Sequence, residues 1–154
     1  MKRFLKTCAI LCLMLVIAAL SVKAQILHPV KWSYGSKRLS NTEAVVFLKA
    51  SIEDGWHIYS AYHKEGGPVP TSFSFTPSAA YKLSGKLEEP KPVTKHEDAF
   101  QMDVSYFEHE VIFRQKLRLN APKAELRGSL QFMVCNDHQC LPPETVTFNI
   151  PIKP

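Results

Sequence analysis

The amino-acid sequence predicts an all-β fold, an antiparallel β-sandwich. Apolar and polar side chains alternate over short windows, and turn-forming residues separate these windows. No window of useful length repeats its apolar residues with the 3.6-residue period of a helix. Many short strands in a chain of this size are typical of two sheets packed face to face.

Seven segments are predicted as strands. In chain order they are 29–35, 43–52, 56–62, 71–75, 111–119, 128–134 and 145–150. The alternation within 43–52 assigns its even-numbered apolar residues to the core face. Asp54-Gly55 predicts a hairpin turn before the third strand. The polar, proline-bearing stretch 88–103 is predicted as a long irregular loop, which in a compact domain is usually functional or disordered.

Residues 1–24 are typical of a secretory signal peptide. Three basic residues within the first six positions precede an apolar run of about 13 residues, shorter than the roughly 20 of a membrane-spanning helix. Val22 and Ala24 form a small-residue cleavage site. We therefore expect one exported domain, 25–154, that begins at Gln25. The alternative is a retained membrane anchor.

The basic character of the whole chain comes mostly from this signal peptide. Residues 1–24 contain four basic residues and no acid, so their removal lowers the net charge from +5 to +1. A pI near 9 is therefore no argument for a nucleic-acid partner. The remaining 25–154 is long enough for a single domain with a core of its own.

Both cysteines of the expected domain lie in the stretch "CNDHQCLPPE" (135–144). Cys135 and Cys140 flank a four-residue loop at the tip of a predicted hairpin, where facing residues are within reach of a disulfide. Cys135 has the opposite parity to the core residues of 128–134, so its side chain is expected to point away from the core.

The register around this tip requires an irregularity. If Cys135 faces Cys140, core residues of 128–134 face outward residues of 145–150, so one extra residue must be absorbed. Pro142-Pro143 is the expected place because prolines cannot donate to a strand ladder. The tip is therefore predicted to be irregular and partly exposed.

Three roles for the cysteine pair remain open from the residues alone. The pair could be a structural disulfide in a non-catalytic β-sandwich binding module, but closing so short a loop contributes only about 2 kcal/mol in the chain-entropy model. A copper or zinc site would use Cys135 and His138, as in blue-copper loops, but no second histidine has a diagnostic spacing. A redox pair would work by thiolate attack on a disulfide, and a protonated His138 would stabilise the thiolate.

Three segments together resemble the N-terminal periplasmic domain of the DsbD family of thiol:disulfide interchange proteins. They are "GWHIY" (55–59), "HEDAF" (96–100) and "CNDHQCLPPE" (135–144). The resemblance covers about residues 30–152, and the cysteine pair followed by Leu-Pro-Pro-Glu is its most specific element. It implies an immunoglobulin-like sandwich in the periplasm. It also implies a protein-disulfide reductase or interchange component without a bound cofactor or metal.

The resemblance also assigns residues and partners. Cys135 and Cys140 would be the redox pair, Phe100 the cap over the disulfide and Asp98 an acid beside it. Tyr59 and His138 are further candidates for the surroundings of the pair. Electrons would come from a thioredoxin-like domain or a membrane electron-carrier protein and pass to oxidised periplasmic proteins. The chain has no C-x-x-C motif, so donor and acceptor are expected to be other proteins.

Processing of the exported protein tests the signal-peptide prediction. We expect its intact mass to correspond to a chain that begins at Gln25, within two residues, because signal peptidase recognises the small residues before that point. A protein extracted from membranes with residues 1–24 still attached would establish the anchor instead.

Overall fold

The computed structural model describes residues 27–62, 66–98 and 100–153, and the regular elements in these ranges are all β-strands. The all-β prediction is confirmed for this part of the chain. The predicted signal peptide, 1–24, and its cleavage site lie outside the described residues. Across the described ranges, no helix is long and apolar enough to cross a membrane.

Eleven strands follow one another along the described ranges. They are β1 (Val30–Arg38), β2 (Glu43–Ile52), β3 (His57–Tyr59), β4 (Ser72–Phe75), β5 (Tyr81–Glu88), β6 (Val93–Glu97), β7 (Met102–Glu108), β8 (Glu110–Leu119), β9 (Ala124–Phe132), β10 (Val134–Cys135) and β11 (Glu144–Ile152).

The strands form three antiparallel sheets. The first sheet has the order β1-β2-β8-β5, the second β10-β3-β7-β6 and the third β11-β9-β4. Met133 alone separates β9 from β10, so the second and third sheets share one nearly continuous strand. These two sheets together form the layer that faces the first sheet.

The core lies between the first sheet and the other two. One buried apolar cluster contains residues of all three sheets. Trp32 of β1 stacks on Phe113 of β8 with ring centroids 6.1 Å apart, and it meets Phe132 of β9 edge-on at 5.5 Å. Phe107 of β7 contacts Phe113 at 5.9 Å. Because full burial of such a side chain stabilises by roughly 1.5–3 kcal/mol, these contacts hold the layers together.

The predicted core face of 43–52 is confirmed. Its even-numbered apolar residues are all buried in β2.

Asp54-Gly55 does form a turn, and Gly55 adopts a φ of 80° that favours glycine. The turn does not close a hairpin, however, because β2 pairs with β1 and β8 whereas β3 pairs with β7 and β10. It carries the chain from the first sheet to the second. The strand after it is also shorter than predicted, His57–Tyr59 instead of 56–62.

The prediction of an irregular loop over 88–103 is wrong. β6 lies inside this range, and it pairs with β7 in a hairpin whose described turn residues are 98, 100 and 101. β6 is an edge strand with mostly exposed side chains, so its sequence is polar and shows no alternation. β5, at an edge of the first sheet and also mostly exposed, was missed for the same reason.

Close packing of β4 on β9 is tested at Gly128. A methyl group there would lie 2.3 Å from the backbone oxygen of Ser74 and 2.7 Å from Cζ of Phe148. We expect Gly128→Ala to lower the free energy of unfolding by about 3 kcal/mol in urea titrations, because a paired backbone cannot move aside.

Gly35→Ala is the matched control, since a methyl group there meets nothing within 4 Å. It should change the free energy of unfolding by less than about 0.5 kcal/mol. Equal stability of the two variants would contradict the packing of β4 on β9.

Candidate functional site

A one-residue slip in strand pairing places the cysteine pair. β9 pairs with β11 as far as Phe132, which faces Glu144. The Cys135–Cys140 bridge is offset from that ladder by one residue, and the extra residue lies within 141–143. The predicted irregularity at the prolines is thus confirmed. Pro142 and Pro143 have no N–H to donate, so the regular ladder is interrupted there. Beyond them the N–H of Leu141 donates to the carbonyl oxygen of Val134 at 2.9 Å, and the opposite edge of β10 pairs with β3.

The loop between the cysteines is held by its own hydrogen bonds. Asn136 Oδ1 accepts from the backbone N–H groups of His138 (2.9 Å) and Gln139 (2.8 Å). The N–H of Asn136 donates to the carbonyl oxygen of Gln139 at 2.9 Å. The Cys135–Cys140 disulfide, predicted from the hairpin, is present and closes the same loop. The turn therefore has stabilising contacts besides the disulfide.

The two sulfur-bearing residues differ in exposure. Cys135 is 2% exposed, whereas Cys140 is an exposed residue. Cys135 points away from the main core, as predicted, but into a second small cluster with Tyr59 and Val104. The expected partial exposure of the tip therefore holds for Cys140 and not for Cys135. The physical reason is the β6–β7 hairpin, whose residues cover this face of the sheet.

A cavity of about 520 Å³ lies beside the disulfide on the outer face of the second sheet. Side chains of β3, β6 and β7, the turn residue Phe100 and the cysteine loop line it. They are His57, Tyr59, Lys95, Glu97, Phe100, Tyr106, Glu108, Cys135, Asn136, Asp137, His138, Gln139 and Cys140. We call this space the disulfide cavity. It gives a route from solvent to the cysteine pair.

An aromatic wall stands next to the disulfide. The ring of His57 lies 4.8 Å from that of Tyr106 and 5.3 Å from that of Tyr59. His57 Nε2 is 3.2 Å from Tyr59 Oη, within hydrogen-bond distance. Burial raises the pKa of Tyr59 to about 12, and the Glu97 carboxylate adds to this shift. Burial lowers the pKa of His57 from 6.5, outweighing nearby carboxylates such as Glu108. Both groups are thus predominantly neutral at pH 7.

Phe100 lies beside the buried cysteine, at the edge of the disulfide cavity. It is half-buried and packs against the cluster that contains Tyr59, Val104 and Cys135. Its backbone N–H donates to the carbonyl oxygen of Glu97 at 3.0 Å, which fixes the turn between β6 and β7. The geometry therefore allows Phe100 to limit access to the buried sulfur.

Of the other predicted site residues, Tyr59 and His138 line the disulfide cavity and Asp98 does not. Tyr59 is buried in the wall, and His138 is exposed at the rim of the disulfide cavity. Asp98 lies in the turn with its side chain 96% exposed, 3.9 Å from His96, and does not line the cavity. The acid that does line the cavity from this segment is its neighbour Glu97.

Five cavity residues outside the cysteine loop were missed from the sequence: His57, Lys95, Glu97, Tyr106 and Glu108. Alternation in "WHIY" could have found His57, because it has the same parity as Tyr59 and opposite parity to the core residue Ile58. The other four lie on β6 and β7, which were not recognised as strands. Their common face was therefore not visible in the sequence.

A copper or zinc site has no evident ligand set here. Both sulfur atoms are joined to each other. Among the residues that the structure describes, no three His, Cys, Asp or Glu side chains come together in a way that could hold a metal ion. Metal ligation by Cys135 and His138 would first require the disulfide to open.

Comparisons with known proteins agree with this geometry. A family model, described as thiol:disulfide interchange protein DsbD, N-terminal, matches residues 24–152. No curated protein sequence matches the chain. Among solved structures, the N-terminal periplasmic domain of ScsB from Proteus mirabilis is similar, with a TM-score of 0.60 and 18% identity. The alignment covers 83% of this chain but 48% of that one, so this chain spans about half of its length.

Two structures from Neisseria meningitidis are also similar. The reduced DsbD N-terminal domain has a TM-score of 0.54 and 17% identity, and the alignment covers 79% of this chain and 86% of that one. A complex between the DsbD and PilB N-terminal domains gives 0.53 and 16%, with 82% and 88% covered. These likenesses show an immunoglobulin-like sandwich, and the family model spans most of the chain. The chain therefore belongs to the family of DsbD N-terminal domains.

Proposed function

We propose that this domain exchanges disulfides with other proteins in the periplasm through Cys135 and Cys140. One observation carries the proposal: the disulfide joins an exposed residue, Cys140, to a residue that is 2% exposed, Cys135. Thiol–disulfide exchange requires a thiolate to approach one sulfur along the S–S axis. A partner can reach Cys140 from solvent, whereas the second cluster encloses Cys135.

From this asymmetry we propose a role for each sulfur. In the reduced domain, the Cys140 thiolate attacks the disulfide of an oxidised acceptor, and one acceptor sulfur leaves as a thiolate. Cys135 then attacks Cys140 in the mixed disulfide and releases the second acceptor sulfur. The acceptor disulfide is reduced to two thiols, and the two thiols of the domain become the Cys135–Cys140 disulfide. A dithiol donor restores the reduced domain by the reverse sequence.

The partners that fit this chemistry are proteins with a reactive thiol or disulfide. The donor we propose is a thioredoxin-like domain or a membrane electron-carrier protein, and the acceptors are oxidised periplasmic proteins. The complex of the Neisseria DsbD and PilB N-terminal domains supports a protein partner for this fold. The predicted signal peptide and the periplasmic ScsB domain support the location.

Phe100 acts in this proposal as a cap that slows unwanted reduction. We expect Phe100→Ala to speed reduction of the disulfide by a small-molecule thiol several-fold, because the substitution opens the second cluster that covers Cys135. The free energy of unfolding should fall by less than about 1 kcal/mol, since the side chain is only half-buried. The measurement is the pseudo-first-order rate of reduction with dithiothreitol in excess.

Phe47→Ala is the matched control. Phe47 is also half-buried, but it lies on β2 in the first sheet, where Arg114 stands 6.0 Å from its ring. Its substitution should leave the reduction rate unchanged. An unchanged rate in Phe100→Ala, together with a large drop in melting temperature, would make Phe100 a packing residue.

Trapping of a mixed disulfide tests the assignment of the sulfurs. With Cys135→Ser, Cys140 has no internal partner, so a complex with a thioredoxin-fold protein lacking its own resolving cysteine should persist. With Cys140→Ser, the remaining thiol is buried, so such a complex should be much rarer. Non-reducing electrophoresis compares the two variants. Both should stay folded, because the disulfide contributes only about 2 kcal/mol.

The same experiment separates the alternatives. Equal trapping by both variants would remove the assignment of roles. Unfolding of both variants without trapping would establish a structural disulfide. Stoichiometric copper or zinc in the purified protein, lost on either substitution, would establish the metal site.

A further inference from the structure

His57 lies directly opposite Cys135. The two residues are partners in the β3–β10 ladder, and both line the disulfide cavity. Opposed residues of an antiparallel pair have Cβ atoms about 4.5–5.5 Å apart on the same face of the sheet. The hydrogen bond between His57 Nε2 and Tyr59 Oη, together with the ring contact to Tyr106, holds the imidazole in this position.

Cys135 needs a proton acceptor in the exchange reaction. It must attack as a thiolate to resolve the mixed disulfide, and burial disfavours the charged form of a thiol. The thiolate is the nucleophile, so the thiol proton has to move to a nearby base. His57 is the cavity residue that the strand register places across from this sulfur.

We propose that His57 accepts the proton of the Cys135 thiol when Cys135 resolves the mixed disulfide. This inference rests on the proposed function. In the step, the imidazole takes the proton, and the Cys135 sulfur forms a bond to Cys140 Sγ. The bond between Cys140 and the acceptor breaks, and the acceptor sulfur leaves with the electron pair. The imidazolium then releases its proton to water through the cavity.

The surroundings of His57 suit this cycle. The ionisable groups that face it are Tyr59 on its own strand, Tyr106 and Glu108 on β7, Lys95 and Glu97 on β6, and Asp137 and His138 in the loop. Burial lowers the pKa of His57, which keeps the ring neutral and able to accept a proton at pH 7. The carboxylates of Glu108, Glu97 and Asp137 favour the imidazolium, and Lys95 opposes it.

The test uses the reduced protein and dithiobis(nitrobenzoate). Attack by Cys140 releases one thionitrobenzoate anion, and resolution by Cys135 releases the second, so the two steps are separate phases of one absorbance trace. In the wild type, the rate of the second phase should have a plateau, nearly independent of pH. The plateau should begin above the pKa of His57, which lies below 6.5, and end where the Cys135 thiol itself ionises. It should slow as the pH falls below that pKa, because imidazolium cannot accept a proton.

His57→Gln should slow the second phase at pH 7 about 100-fold, the lower end of the usual contribution of a general base. The rate of the second phase in this variant should then rise about tenfold per pH unit, because it depends only on the fraction of Cys135 present as thiolate. The first phase should not change, which shows that the variant is folded and that Cys140 still reacts. His28→Gln is the matched control, since His28 is exposed and outside the cavity. Both of its phases should equal those of the wild type.

The outcomes separate the two proposals. A wild-type protein that releases no second anion overturns the proposed function, and the inference with it. Two phases in the wild type with an unchanged second phase in His57→Gln overturn the role of His57 and leave the exchange function standing. If His57→Gln does not fold, the wild-type profile decides. A plateau supports the inference, and a rate that rises tenfold per pH unit from pH 5 to 8 overturns it.

Discussion

The site depends on a one-residue slip in strand pairing between Phe132 and Cys135. Up to Phe132 the chain pairs with β11 in one register, whereas Val134 and Cys135 face Leu141 and Cys140 in a register shifted by one residue. The two prolines lie at the slip, because residues without an N–H cannot extend the β11 ladder toward the cysteine loop in its own register. The one-residue offset that results places one sulfur-bearing residue under the β6–β7 hairpin and leaves the other in solvent. An unbroken ladder would have aligned the tip with the rest of the hairpin.

The outer face of the second sheet supplies the rest of the site. Alternate residues of β3, β6 and β7 point to this face, and together they form the aromatic and charged lining of the disulfide cavity. Phe100 packs over them from the turn. The main core lies on the opposite face of the second sheet. The cavity residues can therefore take part in the reaction without being needed for the packing between the sheets. Access to Cys140, shielding of Cys135 and the position of His57 all follow from this arrangement.

The sequence predicted the parts of the fold that bury apolar residues. β2, β8 and β11 alternate strongly and were found within about two residues, and the parity of Cys135 correctly directed it away from the main core. The edge strands β5 and β6 were missed, because backbone pairing holds them and their side chains remain polar and exposed. Without the β6–β7 hairpin, neither the burial of Cys135 nor the lining by Tyr106 could be predicted.

The reduction potential of the purified domain tests most directly whether the disulfide takes part in exchange. It is obtained by equilibrating the protein with dithiothreitol or glutathione buffers and counting free thiols by mass after alkylation. Structural disulfides of exported proteins lie below about −300 mV, whereas exchanging ones lie higher. An exposed Cys140 joined to a buried Cys135 predicts a potential above about −300 mV. A value well below it would contradict the account and make the bond a structural one.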